Sequence, residues 1–291
     1  MNKPTFILFL LLGSALSGNT QEHLLVLAKG SQLEKIQSGF AFTEGPAVAK
    51  NGEIYFTDQP NDKIYIWNEK SGIREFKVEG ERSNGLYFAA DGQLVACADY
   101  RNKLIKIAMD GTKTVLVDHY DGKHLNGPND LWIHPNGDIY FTDSYYRRPW
   151  WPEGQTQAQD CRGVYCLKAG GKLIRVIDDY KMPNGIIGTP DGKTLYVADI
   201  ADSKTWKYRI ETDGTLSDKT LFAPEGSDGM TIDKKGNVYL TNKAVSIFAP
   251  DGKKRGEILV PERPANICIG GKDRKTLFIT ARTSVYKIRM K

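Results

Sequence analysis

The feature that most constrains this chain is one pattern repeated six times. Five copies read as a Gly followed by a strand of β-formers: Gly52-Glu-Ile-Tyr-Phe-Thr-Asp58, Gly92-Gln-Leu-Val-Ala-Cys-Ala-Asp99, Gly137-Asp-Ile-Tyr-Phe-Thr-Asp143, Gly192-Lys-Thr-Leu-Tyr-Val-Ala-Asp199 and Gly236-Asn-Val-Tyr-Leu-Thr-Asn242. A sixth, Lys275-Thr-Leu-Phe-Ile-Thr-Ala281, carries Arg274 at the Gly position. The anchors fall at 52, 92, 137, 192, 236 and 274, so the steps are 40, 45, 55, 44 and 38. β-rich units at a period of roughly 40–45 residues mark propeller blades, four-stranded sheets that bury their faces only against one another. A second strand follows each anchor, at 63–67, 103–107, 163–167, 204–208, 244–248 and 284–288. Asp-Gly occurs seven times and Asn-Gly five, both strong hairpin signals. No long 3.6-period stretch competes with them.

The last unit stops one strand short of a full blade. The segment 33–40 is a strand with no earlier blade to join. It is expected to complete blade six and close the ring, which removes a free sheet edge. The expected fold is therefore all-β: a six-bladed β-propeller of four-stranded antiparallel blades, formed by residues 21–291 as one domain. A length of 291 residues would otherwise allow two domains.

Residues 1–20 read as a secretory signal peptide. Lys3 precedes an apolar run from Phe6 to Leu12, too short to span a bilayer, and Ala15-Leu16-Ser17 is a plausible cleavage site. The mature chain is expected in the periplasm or secreted. No later run of ~18 apolar residues predicts a membrane span in it. The net charge of +5 is mild and evenly spread, which argues against nucleic acid as a partner. Cys97, Cys161, Cys166 and Cys268 fit no zinc spacing. An oxidising compartment allows a bridge, with Cys161 and Cys166 the close pair, although strand alternation would point them apart. Buried free thiols are the alternative.

Eight residues before each anchor stands a short polar side chain: Glu44, Asn84, Asn129, Asn184, Asp228 and Asn266. A single Asn-Gly or Asp-Gly ordinarily makes a turn. Six in one register, with a separate Gly turn eight residues later in five units, do not fit that reading. On the innermost strands of a propeller, equivalent positions point together at the central channel. The repeat thus predicts a ring of oxygen-bearing side chains. Two carboxylates with amide carbonyls suit one hard divalent cation, Ca²⁺ first, with Mg²⁺ and Mn²⁺ next and Zn²⁺ less favoured.

His23, His119, His124 and His134 read as surface residues, His124 being the best candidate for the rim of the channel. No Gly-x-Ser-x-Gly, His-Glu-x-x-His or phosphate loop occurs, which argues against serine hydrolase, zinc protease and nucleotide chemistry. The step of 55 marks an insertion at 144–162 that contains Tyr145-Tyr-Arg147-Arg-Pro-Trp150-Trp151. It joins the second and third strands of its blade, on the same face as the ring. Two adjacent Trp are costly to leave in water, so the insertion reads as a pocket wall or lid rather than an ornamental loop.

Phe42-Thr-Glu-Gly-Pro46, Leu125-Asn-Gly-Pro-Asn-Asp-Leu131, Met182-Pro-Asn-Gly185, Ser227-Asp-Gly-Met230 and Gly270-Gly-Lys-Asp273 resemble the gluconolactonase / senescence-marker-protein (regucalcin) family of SGL-type lactonases. The resemblance covers the whole mature chain. It implies a six-bladed propeller with one catalytic divalent cation that hydrolyses small-molecule lactones. It also implies Glu44, Asn184 and Asp228 as metal ligands, with Asn129 near metal and substrate and itself a ligand in related members. Asp228 matches the catalytic aspartate. Val48 stands where the family often has Trp, and the insertion differs from the common short Asp-Pro-Pro-Tyr-Gly type. In the implied chemistry a Lewis-acid cation polarises the lactone carbonyl, and Asp228 either takes the proton of the attacking water or orients that water. Asn84, Asn129, His124, Tyr145, Arg147 and Trp150 are the expected substrate contacts. A diisopropyl-fluorophosphatase-like phosphotriesterase and a non-catalytic binding propeller with a structural ion are the alternatives.

Overall fold

Strands such as Ile54–Asp58, Leu94–Ala98 and Ile139–Asp143 are mostly apolar and buried at every residue. A strand reads this way when both faces of its sheet are covered. Outer strands such as Gly72–Phe76 carry charge and are mostly exposed. In a computed structural model of the chain, residues 26–291 are described. The expected signal peptide and His23 lie outside them.

Six four-stranded antiparallel sheets stand around one axis. Blade one is Thr43–Val48, Ile54–Asp58, Lys63–Asn68 and Gly72–Phe76. Blade two is Ser83–Phe88, Leu94–Ala98, Lys103–Ile107 and Lys113–Val117. Blade three is Pro128–Ile133, Ile139–Asp143, Gly163–Leu167 and Leu173–Ile177. Blade four is Pro183–Gly188, Thr194–Asp199, Lys204–Ile210 and Leu216–Ala223. Blade five is Met230–Ile232, Val238–Thr241, Val245–Phe248 and Lys254–Ile258. Blade six takes Asn266–Gly270, Thr276–Ala281 and Ser284–Arg289 from the end of the chain and Glu34–Ser38 from its beginning. Among the described residues the only helical element is the single turn Gln59–Asn61, and no helix is long and apolar enough to cross a membrane. A two-stranded hairpin, His119–Tyr120 with Lys123–His124, is an addition that the repeat does not predict.

The ring closes as the repeat implies. Glu34 pairs with Lys287 and Ser38 with Ser284. Ile36 packs against a cluster that holds Phe40, Phe56, Trp67 and Phe278, so blades six and one share one core. The Thr43 backbone N–H donates to Arg282 O (2.8 Å), and the Ala281 N–H donates to Thr43 Oγ1 (3.1 Å). All four cysteines are free thiols; Cys97, Cys166 and Cys268 are buried and Cys161 is partly exposed, so Cys161 and Cys166 do not bridge.

The acid that ends the second strand of several blades has one job. The Asp58 carboxylate accepts the N–H groups of Ala41 and Phe42, Asp143 those of Asn126 and Gly127, and Asp199 those of Lys181 and Met182. Each pair of amides lies just before the innermost strand of its own blade. The repeated acid therefore fixes the angle at which that strand enters the axis. Blade two departs from this: the Arg82 N–H goes to Asp62 Oδ1 (2.6 Å), which frees Asp99.

Truncation through Ser38 exposes the edge of Ser284–Arg289 and removes the Ile36 contact. The thermal midpoint is expected to fall by about 10 °C or more, at ~2–4 °C per kcal/mol for a chain of this size. The truncated chain should also elute as aggregate on size exclusion. Truncation before Glu34 should cost less but is not neutral, because it removes the buried Leu27 and its pairing with Met290.

Candidate active site at the mouth of the axial channel

Each innermost strand packs on the next, from blade one round to blade six and back to blade one. They are so close at the axis that side chains next to the ring residues have no room. A Cβ on Gly45 would lie 2.0 Å from the Asn84 carbonyl oxygen, and Gly45 also has φ +49. A Cβ on Gly229 would lie 1.9 Å from Asn266 Cγ. The Gly after Glu44, Asn84, Asn184 and Asp228 is thus a packing requirement of the axis. Asn84-Gly85 and Asn184-Gly185 lie inside strands, so these pairs are not the hairpin turns that such dipeptides usually signal. Blade three has Asp130 at that position, and its carboxyl occupies the space in front of Gly85.

Glu44, Asn84, Asn129, Asn184 and Asn266 are buried, and Asp228 is partly accessible at the mouth. Asn184 Nδ2 donates to Asp228 Oδ1 (2.9 Å) and to the Tyr146 hydroxyl (2.8 Å). Glu44 Oε2 accepts the Gly45 N–H (2.7 Å). Asn266 Nδ2 lies 3.4 Å from Asp130 Oδ2, deeper in the channel, and Asp130 Oδ1 takes the Leu131 N–H (2.9 Å). Below Asp130 the channel widens on the opposite face into a cavity of about 730 Å³, lined by Val48, Leu86, Leu131, Trp132, Ile186 and Ile269.

Three acids in so small a volume are short of positive charge. Burial, then repulsion by Asp228 and Asp130, pushes the Glu44 carboxyl well above its usual range. Burial pushes Asp130 up to about 7. Burial also raises Asp228 to about 6, against the Asn184 hydrogen bond and the guanidinium groups of Arg263, Arg148 and Arg282.

The insertion 144–162 lies over this mouth. Trp151 is buried on Gly127, with its Nε1 on the Asp99 carbonyl (3.1 Å). Asn126 holds the far end through the Ala158 and Gln159 N–H groups. Of the expected substrate contacts, Trp150 is half-buried at the rim, with Nε1 on Asp99 Oδ2 (3.0 Å). Tyr145 instead donates its hydroxyl to Gln155 O inside the insertion, and Arg147 bonds the carbonyls of Arg148, Trp151 and Pro152. The neighbours face inward: Tyr146 touches Asn184, and Arg148 lies over the Tyr146 ring at 5.3 Å. His124 is exposed on the hairpin, its imidazole 3.9 Å from that of His119. Asp130, Tyr146 and Arg148 are residues that the repeat did not single out, and Asp99 stood in it only as one of a set. Asp130 stood in the Asn-Gly-Pro-Asn-Asp motif, where its replacement of the usual Gly was the signal.

Residues 42–283 match the family described as the SMP-30/Gluconolactonase/LRE-like region. The chain belongs to this family. It is 31% identical to a gluconolactonase of Zymomonas mobilis, over 91% of this chain and 83% of that one. It is 26% identical to the diisopropyl-fluorophosphatase of Loligo vulgaris, over 65% of each chain. A gluconolactonase from Xanthomonas campestris superposes with a TM-score of 0.84 at 27% identity, over 91% of both chains. A calcium-binding regucalcin from Agrobacterium tumefaciens shares the fold at 18% identity, with a TM-score of 0.73 over 90% of this chain.

The carboxylates and buried amides of the ring raise the question of whether these residues fit a cation. Among the described residues no three His, Cys, Asp or Glu side chains form a metal site by themselves. A donor set here must mix carboxylates with amides, and the family ring supplies that mixture. Asn84 Oδ1 is buried with no hydrogen-bond partner. An orphaned buried carbonyl costs roughly 1–3 kcal/mol unless something binds it. A hard cation held by Glu44, Asp228 and amide oxygens would satisfy it, and fits the donor chemistry.

Gly229→Ala is expected to cost about 2 kcal/mol or more in denaturant unfolding, because its methyl group overlaps Asn266. Gly170→Ala, in open space, should be nearly neutral.

Proposed function

We propose that this chain is a divalent-cation-dependent hydrolase that opens the ester bond of sugar-type lactones. The observation that carries the reading is the axial ring, with Glu44 and Asp228 among amide side chains and the Asn84 carbonyl oxygen buried without a partner. The gluconolactonase relatives support the lactone as substrate. Glu44, Asn129, Asn184 and Asp228 would hold the ion, with the partnerless Asn84 Oδ1 beside them, and Ca²⁺ is favoured by the hard-oxygen set. When bound, the cation supplies Lewis-acid polarisation of the carbonyl and charge for the oxyanion.

The chain's own residues do the rest. Asn184 fixes Asp228 through Oδ1, so Oδ2 is the oxygen left to orient the attacking water and receive its proton. The Tyr146 hydroxyl accepts from Asn184, which leaves its own proton for a ligand oxygen. Burial raises the Tyr146 phenol and keeps it protonated. Trp150 and the insertion wall the mouth.

Chelation should abolish lactone opening, and added Ca²⁺, Mg²⁺ or Mn²⁺ should restore it. Asp228→Asn should cost about 10³-fold in kcat while the far-ultraviolet spectrum is kept. Asn84→Ala should weaken cation binding about 10-fold by calorimetry. Activity that survives chelation would overturn the reading. The squid relative motivates a phosphotriester arm in the same assay; turnover of phosphotriesters without lactones would favour that chemistry.

We also propose that the chain is exported. Lys3 and the apolar run from Phe6 to Leu12 support this. Mass spectrometry of the protein recovered outside the cytoplasm should find a start close to Ser17.

A further inference from the structure

The mouth of the channel carries more positive charge than a neutral sugar lactone would use. Arg148 and Arg82 flank Trp150, at 6.0 and 4.7 Å from its ring. Arg263 and Arg282 stand on the blade-six side, exposed, and their field reaches Asp228. We propose that the substrate of this site bears a permanent oxyanion, a carboxylate, sulfonate or phosphate, beside its lactone ring, and that Arg148 binds it. The proposal rests on the lactonase reading above.

Arg148 is held by charge at one end and unused at the other. Its buried Nε lies 3.4 Å from Asp99 Oδ2 as an ion pair without a hydrogen bond, and its guanidinium carbon is 5.3 Å from the centre of the Tyr146 ring. Among the described residues its two Nη groups make no hydrogen bond. Its neighbour Arg147 shows the contrast: a structural arginine that places its Nη donors on three carbonyls of the insertion. A half-buried guanidinium with a free Nη fork matches the paired oxygens of a carboxylate or phosphate.

Asp99 is a second, independent observation. At the same repeat position Asp58, Asp143 and Asp199 cap backbone N–H groups. Asp99 has left that task to Asp62, and its carboxylate faces Arg148 and Trp150 instead. Asp99 is thus a positioning residue for the rim. The lactonase reading puts the lactone carbonyl at the cation site of Glu44 and Asp228, which leaves the charged end of the substrate for Arg148.

Matched lactones test this: a neutral hexonolactone against rings of the same size bearing a carboxylate, a sulfonate or a phosphate. The anionic rings should have a kcat/KM at least about 10-fold higher at low salt, and only theirs should fall as ionic strength rises. The spread among the three anions identifies the oxyanion. Arg148→Gln should lower the ratio of anionic to neutral kcat/KM about 10- to 100-fold, and Arg148→Lys should restore part of it. A non-hydrolysable anionic lactam, titrated by calorimetry into wild type and Arg148→Gln, reads the same recognition without turnover. Equal or faster opening of the neutral ring, or an equal loss for both rings in Arg148→Gln, would overturn the proposal. A protein that opens no lactone overturns the hydrolase reading alone. The lactam titration then still decides whether the rim binds an anion.

Discussion

Six strands can line one narrow axis only if each leaves room for the next. In this chain the room comes from removing a side chain directly after the axial donor. The methyl group that Gly45 or Gly229 lacks would overlap Asn84 or Asn266, so neighbouring blades interlock at the level of the ring itself. The consequence is chemical. Donors separated by about forty residues in sequence are held by backbone packing, on strands and not on flexible loops. A cation that must dehydrate gains from such preorganisation, because the protein need not reorganise as it binds.

Blade three is where this regular solution is broken, and the break adds an acid to the axis and a wall to its mouth. Asp130 fills the space that Gly85 leaves and puts a third acid under the ring. The same blade carries the insertion, whose Trp151 covers Gly127 at the entry to that innermost strand. The insertion is therefore packed onto the scaffold at the point that sets Asn129 and Asp130. Blade two adapts to it: Asp62 takes over a backbone cap, and Asp99 turns to the Trp150 and Arg148 side chains.

The repeat made the blades, the closing strand and the ring legible because periodicity constrains them. A residue at the same phase of six equivalent strands must face the same way. The insertion has no period. Nothing in Tyr145-Tyr146-Arg147-Arg148 alternates against a partner, so the sequence did not tell which Tyr and which Arg face inward. The structure turns Tyr145 and Arg147 into the insertion, and Tyr146 and Arg148 toward the axis. His124 was placed by proximity in sequence to Asn129, yet the hairpin carries it to the surface. Asp99 was legible as a repeat position but not as an exception, because its change of partner depends on Asp62, in another blade.

Charge then orders the site along the axis. Deep in the channel, Asp130 and Glu44 are held protonation-prone by burial, with Asp228 as their common neighbour. At the rim, Arg82 and Arg148 flank Trp150, and Arg148, Arg263 and Arg282 act on Asp228 through their charge. Opposite charges at the two ends give a polar ligand a preferred direction of entry, with electron-rich groups drawn first to the rim. Only a centre of positive charge between the acids lets an electron-rich carbonyl descend further. The gradient that would attract a ligand and the ring that would hold a cation thus depend on each other, and both depend on the close approach of the inner strands.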